Sequence, residues 1–182
     1  MLKLIFLNNI NVLETSIKPV FLFLLLGIFF SEAAHSENYV SKTNINGSGL
    51  KIPRIVSLKN SLTYIRSGPG KKYPITFEIK QKGHPLKIVS EFNNWRKINT
   101  SDNLTGWIHT QMLSSFRTGI ITKTTLLKKI PSEKSRSEAK LLANLLVNIK
   151  KCKLKWCKVE IIKDKVFVGW VKKTSIWGAV RK

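Results

Sequence analysis

The feature of this sequence that most restricts its fold is an internal repeat with a period of about sixty residues. Three landmarks recur, and the second member of each lies 61 to 63 residues after the first. The matched positions are Pro69 with Pro131, Trp95 with Trp156, and Gly106-Trp107 with Gly169-Trp170. A drift of one or two residues is typical of turns that differ in length, because turns tolerate insertions that strands do not. The repeat therefore predicts two copies of one small unit.

Short runs of β-branched and aromatic residues, most of them alternating in period two, predict strands in both copies. Gly, Pro, Asn, Asp and Ser cluster between the runs about every ten residues, a spacing typical of a small barrel or sandwich. In the first copy the runs are Ile55–Leu58, Ser61–Ile65, Ile75–Ile79, Pro85–Val89, Trp95–Ile98 and Gly106–His109. We predict an all-β fold of two tandem small barrels, with domains at 53–115 and 116–182.

One segment of the second copy permits a different interpretation. Ser137–Val147 places its leucines at helical spacing. This segment aligns with the predicted strands around Ile75–Leu86, so the repeat favours strands here too. The opening of the second copy, Leu127–Pro131, lacks the Ser-Gly-Pro-Gly turn of Ser67–Gly70, so its first loop should differ in shape.

The N-terminal segment has the composition of an export signal. Eleven apolar residues, Val20–Phe30, precede small and polar residues. Because a spanning helix needs about 20 apolar residues, we predict a cleaved signal peptide over 1–33, with a retained membrane anchor as the alternative. Cleavage is expected after Ala33, and Ala34–Ser36 offers a second acceptable site. The mature chain is then periplasmic or secreted and has no transmembrane segment, and its polar stretch 34–52 is expected to be a linker.

The composition argues against catalysis and against a metal or cofactor. Two cysteines and three scattered histidines are too few for a typical zinc site. The carboxylates form no close pair in sequence, and the Cys-His constellation of cell-wall peptidases is missing. We therefore predict no catalytic residues, no metal and no cofactor.

The charge is strongly positive, with 32 Lys+Arg against 10 Asp+Glu and a formal net charge of +22. Lysine greatly outnumbers arginine, whereas specific nucleic-acid readout generally uses arginine for bidentate contacts. Diffuse attraction to an anionic polymer or surface fits better than specific nucleic-acid recognition. A lysine-rich proteome without an electrostatic function is the alternative.

Three segments of the first copy resemble the bacterial SH3-like domain (SH3b): Tyr64–Gly70 (YIRSGPG), Phe92–Ile98 (FNNWRKI) and Gly106–His109 (GWIH). The second copy, through Trp156–Val159 and Gly169–Val171, resembles the C-terminal half of exported tandem SH3-like proteins of alphaproteobacterial type. The resemblance covers 53–182. It implies strongly bent barrels of five to six strands that bind a partner and have no catalytic activity of their own.

Cys152 and Cys157 lie where the repeat places a hairpin between two strands. In an oxidising compartment we expect them to form a structural disulfide. The alternatives are a redox pair or a nucleophile, but the CxxC spacing is absent and no histidine is near in sequence.

The tryptophans and tyrosines suggest either a ligand groove or core packing. Trp107 and Trp170 are expected in the core because they lie inside Gly-Trp strand motifs. Tyr73, in a long loop, and Trp95, at a strand start, are expected to be exposed. They are our predicted ligand-binding residues, together with Lys71 and Lys72.

The resulting functional hypothesis is an exported, non-catalytic binding protein. Its tandem SH3-like modules would recognise peptidoglycan or an envelope protein. The alternative hypothesis is a cationic secreted effector that binds anionic host nucleic acid or membranes.

Overall fold

The computed structural model of the chain describes residues 44–179, so the predicted signal peptide 1–33 lies outside the described residues. Two sheets, antiparallel apart from one short parallel pair in the first, follow each other along this part of the chain. The first contains β1 (Asn44–Ile45), β2 (Arg54–Leu58), β3 (Thr63–Arg66), β4 (Ile75–Ile79), β5 (Pro85–Phe92), β6 (Trp95–Asn99), β7 (Thr105–His109) and β8 (Leu113–Ser114). The second contains β9 (Thr118–Ile121), β10 (Thr125–Lys128), β11 (Ser137–Leu141), β12 (Leu146–Lys153), β13 (Trp156–Ile162), β14 (Val166–Lys172) and β15 (Ile176–Trp177). The all-β prediction is confirmed.

The two sheets have the same strand order. The first runs β4-β3-β7-β6-β5-β2-β8 and the second β11-β10-β14-β13-β12-β9-β15. A short 3-10 turn precedes the last strand in each, at Thr110–Met112 and Lys173–Ser175. The register shifts also lie at matching places. One lies between Ile65 and Arg66 in the first copy and between Leu127 and Lys128 in the second. The other lies between Ile88 and Ser90 in the first copy and between Ile149 and Lys151 in the second. The internal repeat of the sequence is thus a structural repeat, down to its irregular positions.

Each sheet folds around its own apolar cluster. Period-two alternation directs every second side chain inward, as in β6 and β7, where Ile98 and Ile108 are fully buried. The buried hydrophobic residues of the first cluster are Leu58, Ile65, Leu86, Ile88, Ile98 and Ile108. Those of the second are Ile121, Leu127, Leu141, Val147, Ile149, Cys157, Val159, Ile161, Val171, Ile176 and Ala179. Burying one such aliphatic side chain contributes about 1.5–3 kcal/mol, so each copy has its own source of stability.

The Gly-Trp motifs place glycine, not tryptophan, on the core side. A Cβ added to Gly169 would lie 2.6 Å from Cγ of Leu127 and 2.8 Å from the Lys128 carbonyl oxygen. The glycine therefore allows β10 to approach β14, and the next side chain points outward. The prediction that Trp107 and Trp170 are core residues is wrong, since both are only partly buried.

The leucine-rich segment of the second copy is extended. Ser137–Leu141 pairs with β10, and Leu146 begins β12. The segment forms strands despite the helical spacing of its leucines, because a strand buries Leu141 in the second apolar cluster. The strand interpretation is confirmed.

The described part of the predicted linker, 44–52, is bound to the first barrel. β1 pairs in parallel with the end of β5, through Asn44 with Glu91 and Ile45 with Phe92. The backbone N–H and the hydroxyl of Ser48 both donate to the Glu91 carboxylate. This segment therefore belongs structurally to the first copy.

The two copies also contact each other. The Thr118 hydroxyl donates to the Gly83 carbonyl oxygen at 2.6 Å, and a methyl group of Leu146 approaches the same glycine. Gly178 of the second copy lies against Pro85 of the first. The loop before β5 thus forms a direct contact with β9 and its neighbours. Within 44–179, no helix is long and apolar enough to cross a membrane.

Candidate binding surfaces

Tyr73 is a structural residue of the loop between β3 and β4. Its ring packs directly against Gly68, where a Cβ would collide with it. The Arg66 guanidinium donates to the carbonyl oxygens of Tyr73 at 2.7 Å and Lys71 at 3.2 Å. Lys72 places its ammonium 5.5 Å from the centre of the Tyr73 ring, a cation–π contact. Arginine, tyrosine and glycine thus fix this loop, and both lysine side chains remain exposed.

Trp95 lies apart from that loop. It begins β6, and two strand spacings separate β6 from β3 in the sheet. Its ring meets the His109 ring edge-on, with centroids 5.3 Å apart. The four predicted ligand-binding residues therefore do not form one cluster, and ligand contact at Tyr73, Trp95, Lys71 and Lys72 stays a prediction.

The structure brings together a different group of residues on the outward side of β6 and β7. Trp95 pairs with His109, and Lys97 pairs with Trp107. Because side chains of paired residues stand on the same side of a sheet, these four form one outward patch. Both tryptophans are partly exposed there.

The second copy repeats this arrangement in the same register. Trp156 pairs with Lys172, and Lys158 pairs with Trp170, on β13 and β14. We call the two patches tryptophan faces. The first consists of Trp95, Lys97, Trp107 and His109, and the second of Trp156, Lys158, Trp170 and Lys172.

A further basic residue flanks each face from the neighbouring strand. Arg66 pairs with Trp107 and Lys128 with Trp170. Arg66 and Lys128 also each hold the loop that follows their own strand. The Lys128 ammonium donates to the Ser135 carbonyl oxygen at 2.9 Å, and the Arg66 guanidinium donates to the loop carbonyl oxygens named above. Their first role is therefore structural, and they add positive charge beside the rings.

The second face borders a groove of about 350 Å³. Leu126, Trp156 and Lys172 lie along it, and the ammonium of Lys172 pairs with the Glu133 carboxylate at 2.6 Å. On the same face Lys151 places its ammonium 5.9 Å from the centre of the Trp170 ring. A ligand here would meet aromatic surface and at least two ammonium groups.

A second groove, of about 380 Å³, lies between the two copies. Pro53, Ile55 and Lys87 contribute from the first copy, and Ile176 and Trp177 from the second. Its lining is mainly apolar, which makes it the competing location for a ligand.

A buried carboxylate lies beneath the tip of the β5–β6 hairpin. Glu91 is 1% exposed and forms ion pairs with Arg54 and, at 3.0 Å, with Arg96. Burial raises the pKa of Glu91, but hydrogen bonds from Ser48 and Arg54 outweigh it, so the pKa lies below its ordinary value. The carboxylate is therefore a charged structural group, closed off from solvent.

The predicted disulfide between Cys152 and Cys157 is confirmed. The two cysteines are opposite residues of the β12–β13 hairpin. Sulfur atoms in this bond cannot act as nucleophiles, so the arrangement favours the structural interpretation. Within 44–179, no group of three or more His, Cys, Asp and Glu side chains could hold a metal ion.

Sequence reasoning identified Trp95 but missed its partners. The signal that points to them is the glycine before Trp107. Glycine has no side chain and occupies the core-facing position of the strand, so the tryptophan that follows it points outward. Applied to both Gly-Trp motifs, this signal predicts Trp107 and Trp170 as surface residues. The cross-strand pairing of Lys97 and Lys158 with these rings depends on register and has no local signal.

Comparison with protein families identifies the fold class of both copies. Residues 60–114 match one family model described as bacterial SH3 domain, and residues 126–178 match a second with the same description. Together the matches cover more than half of the chain. The chain belongs to the bacterial SH3 domain family and carries two such domains in tandem. No curated protein matches it in sequence.

Solved structures show low similarity. NlpC1 from Trichomonas vaginalis is 12% identical with a TM-score of 0.32, covering 72% of this chain and 48% of that one. An NlpC/P60 family protein from Bacillus cereus is 14% identical with a TM-score of 0.31, covering 67% of this chain and 55% of that one. The chain thus spans about half the length of these proteins. At such TM-scores nothing about activity follows.

Proposed function

We propose that this protein is an exported, non-catalytic binding protein whose tandem SH3 domains recognise peptidoglycan or an envelope protein. The observation that carries the proposal is the pair of tryptophan faces, which stand in the same register on both copies. On each face one tryptophan lies opposite a lysine, and the other lies opposite His109 in the first copy and Lys172 in the second. Membership in the bacterial SH3 family supports a cell-wall partner. The proposal includes no catalytic step.

The chemistry of the faces suits this class of ligand. An indole ring offers a flat apolar surface on which a sugar ring or a peptide can stack. Neighbouring lysines can pair with carboxylates, which the stem peptides of peptidoglycan carry. Because the residues stand on paired strands, little conformational freedom is lost on binding.

Two faces on one chain also allow two contacts with one polymer. Peptidoglycan presents the same chemical unit many times, so a second contact forms at the effective concentration set by the first. Weak individual contacts can then give strong retention on an insoluble sacculus. This supports a repeating ligand over a small soluble one.

Export belongs to the same proposal. The apolar run Val20–Phe30 and the disulfide support an oxidising compartment outside the cytoplasm. We expect the mature N-terminus between Ala34 and Glu37. Mass spectrometry of the protein from its host decides this, and intact Met1 in a membrane fraction would contradict it.

The direct test is retention of the purified protein on purified peptidoglycan, with whole-envelope extract as a second bait. We expect retention on one of the two and no release of muropeptides. Retention on DNA alone, lost as salt increases, would favour the cationic effector instead. Muropeptide release would contradict the non-catalytic assignment.

A further inference from the structure

The tips of the two matched hairpins differ in chemistry although their backbones correspond. The tip between β5 and β6 has the sequence Phe-Asn-Asn-Trp at 92–95, and the tip between β12 and β13 has Lys-Leu-Lys-Trp at 153–156. In each tip, the first residue pairs with the last across the hairpin. The central change is Leu154, which occupies the position of Asn93.

Leu154 is unfavourable for the isolated protein in two respects. Its φ is +47°, the same value as Asn93, and this left-handed conformation suits asparagine or glycine but not leucine. Its side chain is also 91% exposed, the highest value among the large hydrophobic residues of 44–179. The first copy meets the same backbone requirement with asparagine. Neither backbone conformation nor burial in the folded protein therefore accounts for a leucine at this position.

The surroundings of Leu154 are strongly basic. Five lysines stand within nine residues of chain: Lys150, Lys151, Lys153, Lys155 and Lys158. The only carboxylate in β12 and β13 is Glu160, which pairs with Lys150 at 2.7 Å. The lysines beside the apex, Lys153 and Lys155, are exposed. The disulfide Cys152–Cys157 closes the hairpin directly beneath them and fixes its shape.

We propose that the tip of the second hairpin, residues 153–156, docks on the surface of an anionic lipid bilayer. Leu154 would enter the interface between headgroups and acyl chains, where the half-buried Trp156 is also favourable. The lysines beside the apex would pair with lipid phosphates. An anionic polysaccharide would explain the lysines but leaves the exposed leucine without a role. This membrane contact goes beyond the proposed binding of a cell-wall or envelope partner by the tryptophan faces.

The test is co-sedimentation of the purified protein with vesicles of phosphatidylcholine alone and with vesicles containing phosphatidylglycerol. We expect binding to the anionic vesicles, little binding to the neutral ones, and a loss of binding as salt increases. Leu154→Asn should weaken binding to anionic vesicles about tenfold, because it removes the apolar contact. Lys153→Gln and Lys155→Gln should each weaken it about fivefold.

The variants include their own folding controls. Leu154→Asn installs the residue that the first copy uses, so its thermal stability should equal or exceed that of the unmodified protein. Leu142→Asn changes another exposed leucine, 64% exposed, and should leave vesicle binding unchanged. All of these variants should retain the protein's binding to purified peptidoglycan or to envelope extract freed of lipid, which separates this proposal from the proposed function.

Two results would overturn the membrane proposal. One is equal binding of Leu154→Asn and the unmodified protein to anionic vesicles. The other is absence of vesicle binding by the unmodified protein, which would assign the tip to an acidic protein with an apolar pocket instead. Equal binding of the unmodified protein to neutral and anionic vesicles would show that the lysines do not contribute, and would contradict docking on an anionic surface.

Discussion

Glu91 and Arg96 face each other across the β5–β6 hairpin, with Arg96 Nε 3.0 Å from Glu91 Oε1, at the position that the second copy closes with the disulfide Cys152–Cys157. Arg96 also donates to the Asn93 carbonyl oxygen and so holds the turn above it. Two different chemistries thus fix the same point beneath two matched hairpins. In the first copy the ion pair also extends to Arg54 and Ser48, which attaches the preceding segment.

Removing the carboxylate should destabilise the first copy strongly. Glu91→Ala leaves Arg96 and the partly buried Arg54 without their counter-charge, and breaking a buried ion pair costs about 3–5 kcal/mol. Urea unfolding measures the loss. Glu160→Ala in the second copy removes the half-buried partner of the exposed Lys150 and should lower the free energy of unfolding much less. Equal effects of the two substitutions would contradict the structural role of Glu91.

The Glu91 carboxylate should also make the stability of the protein depend on pH. Its pKa in the folded protein lies below the unfolded value, so the unfolded state binds more protons and stability falls as pH falls. The contribution is complete above about pH 4.3 and is lost as pH falls through the folded pKa. Urea midpoints from about pH 6 to pH 2 should fall more steeply for the unmodified protein than for Glu91→Gln. Parallel curves would rule out this linkage.

The disulfide should contribute less to the free energy of unfolding than the ion pairs of Glu91. Closing so short a loop restricts the unfolded chain by about 2 kcal/mol in the loop-entropy model. The double variant Cys152→Ser and Cys157→Ser should lose about this much in urea unfolding and remain folded. Non-reducing peptide mapping of protein from its native compartment should show the bonded pair. Two thiols that alkylate readily without reductant would count against it.

The glycines of the Gly-Trp motifs should not tolerate a methyl group. In Gly169→Ala the new Cβ would approach Leu127 and the Lys128 backbone, and such overpacking costs about 1–3 kcal/mol. Val168→Ala, at the exposed preceding position, is the matched control and should change thermal stability much less. Comparable melting temperatures for the two variants would show that β10 and β14 can separate without cost.

The sequence contained enough to predict the two-copy, all-β architecture. The repeat and the period-two alternation are local signals, and they also decided correctly against a helix at Ser137–Leu141. The contacts around Glu91 could not be predicted in this way. Glu91 and Arg54 are 37 positions apart, and only the pairing of β2 with β5 brings them together.

The tryptophan faces could be predicted only in part, for a physical reason. Loop position and aromatic character suggested Tyr73, whose ring packs against Gly68, and ligand contact there stays a prediction. The tryptophan faces depend on which residues of β6 and β7 stand opposite each other. That register is set by the bulges and loop lengths of the whole sheet, which the sequence of one strand does not reveal.

The most direct test of the binding role is retention on the envelope bait at high salt for variants of the two faces. Lysine-driven attraction is then screened, since the Debye length falls to about 3 Å at 1 M. We predict that Trp95→Ala with Trp107→Ala, and Trp156→Ala with Trp170→Ala, each reduce retention about tenfold or more while circular dichroism stays unchanged. Trp177→Ala, in the groove between the copies, should retain full binding. Full retention by both double variants, with loss in Trp177→Ala, would contradict the account and place the binding surface between the two domains.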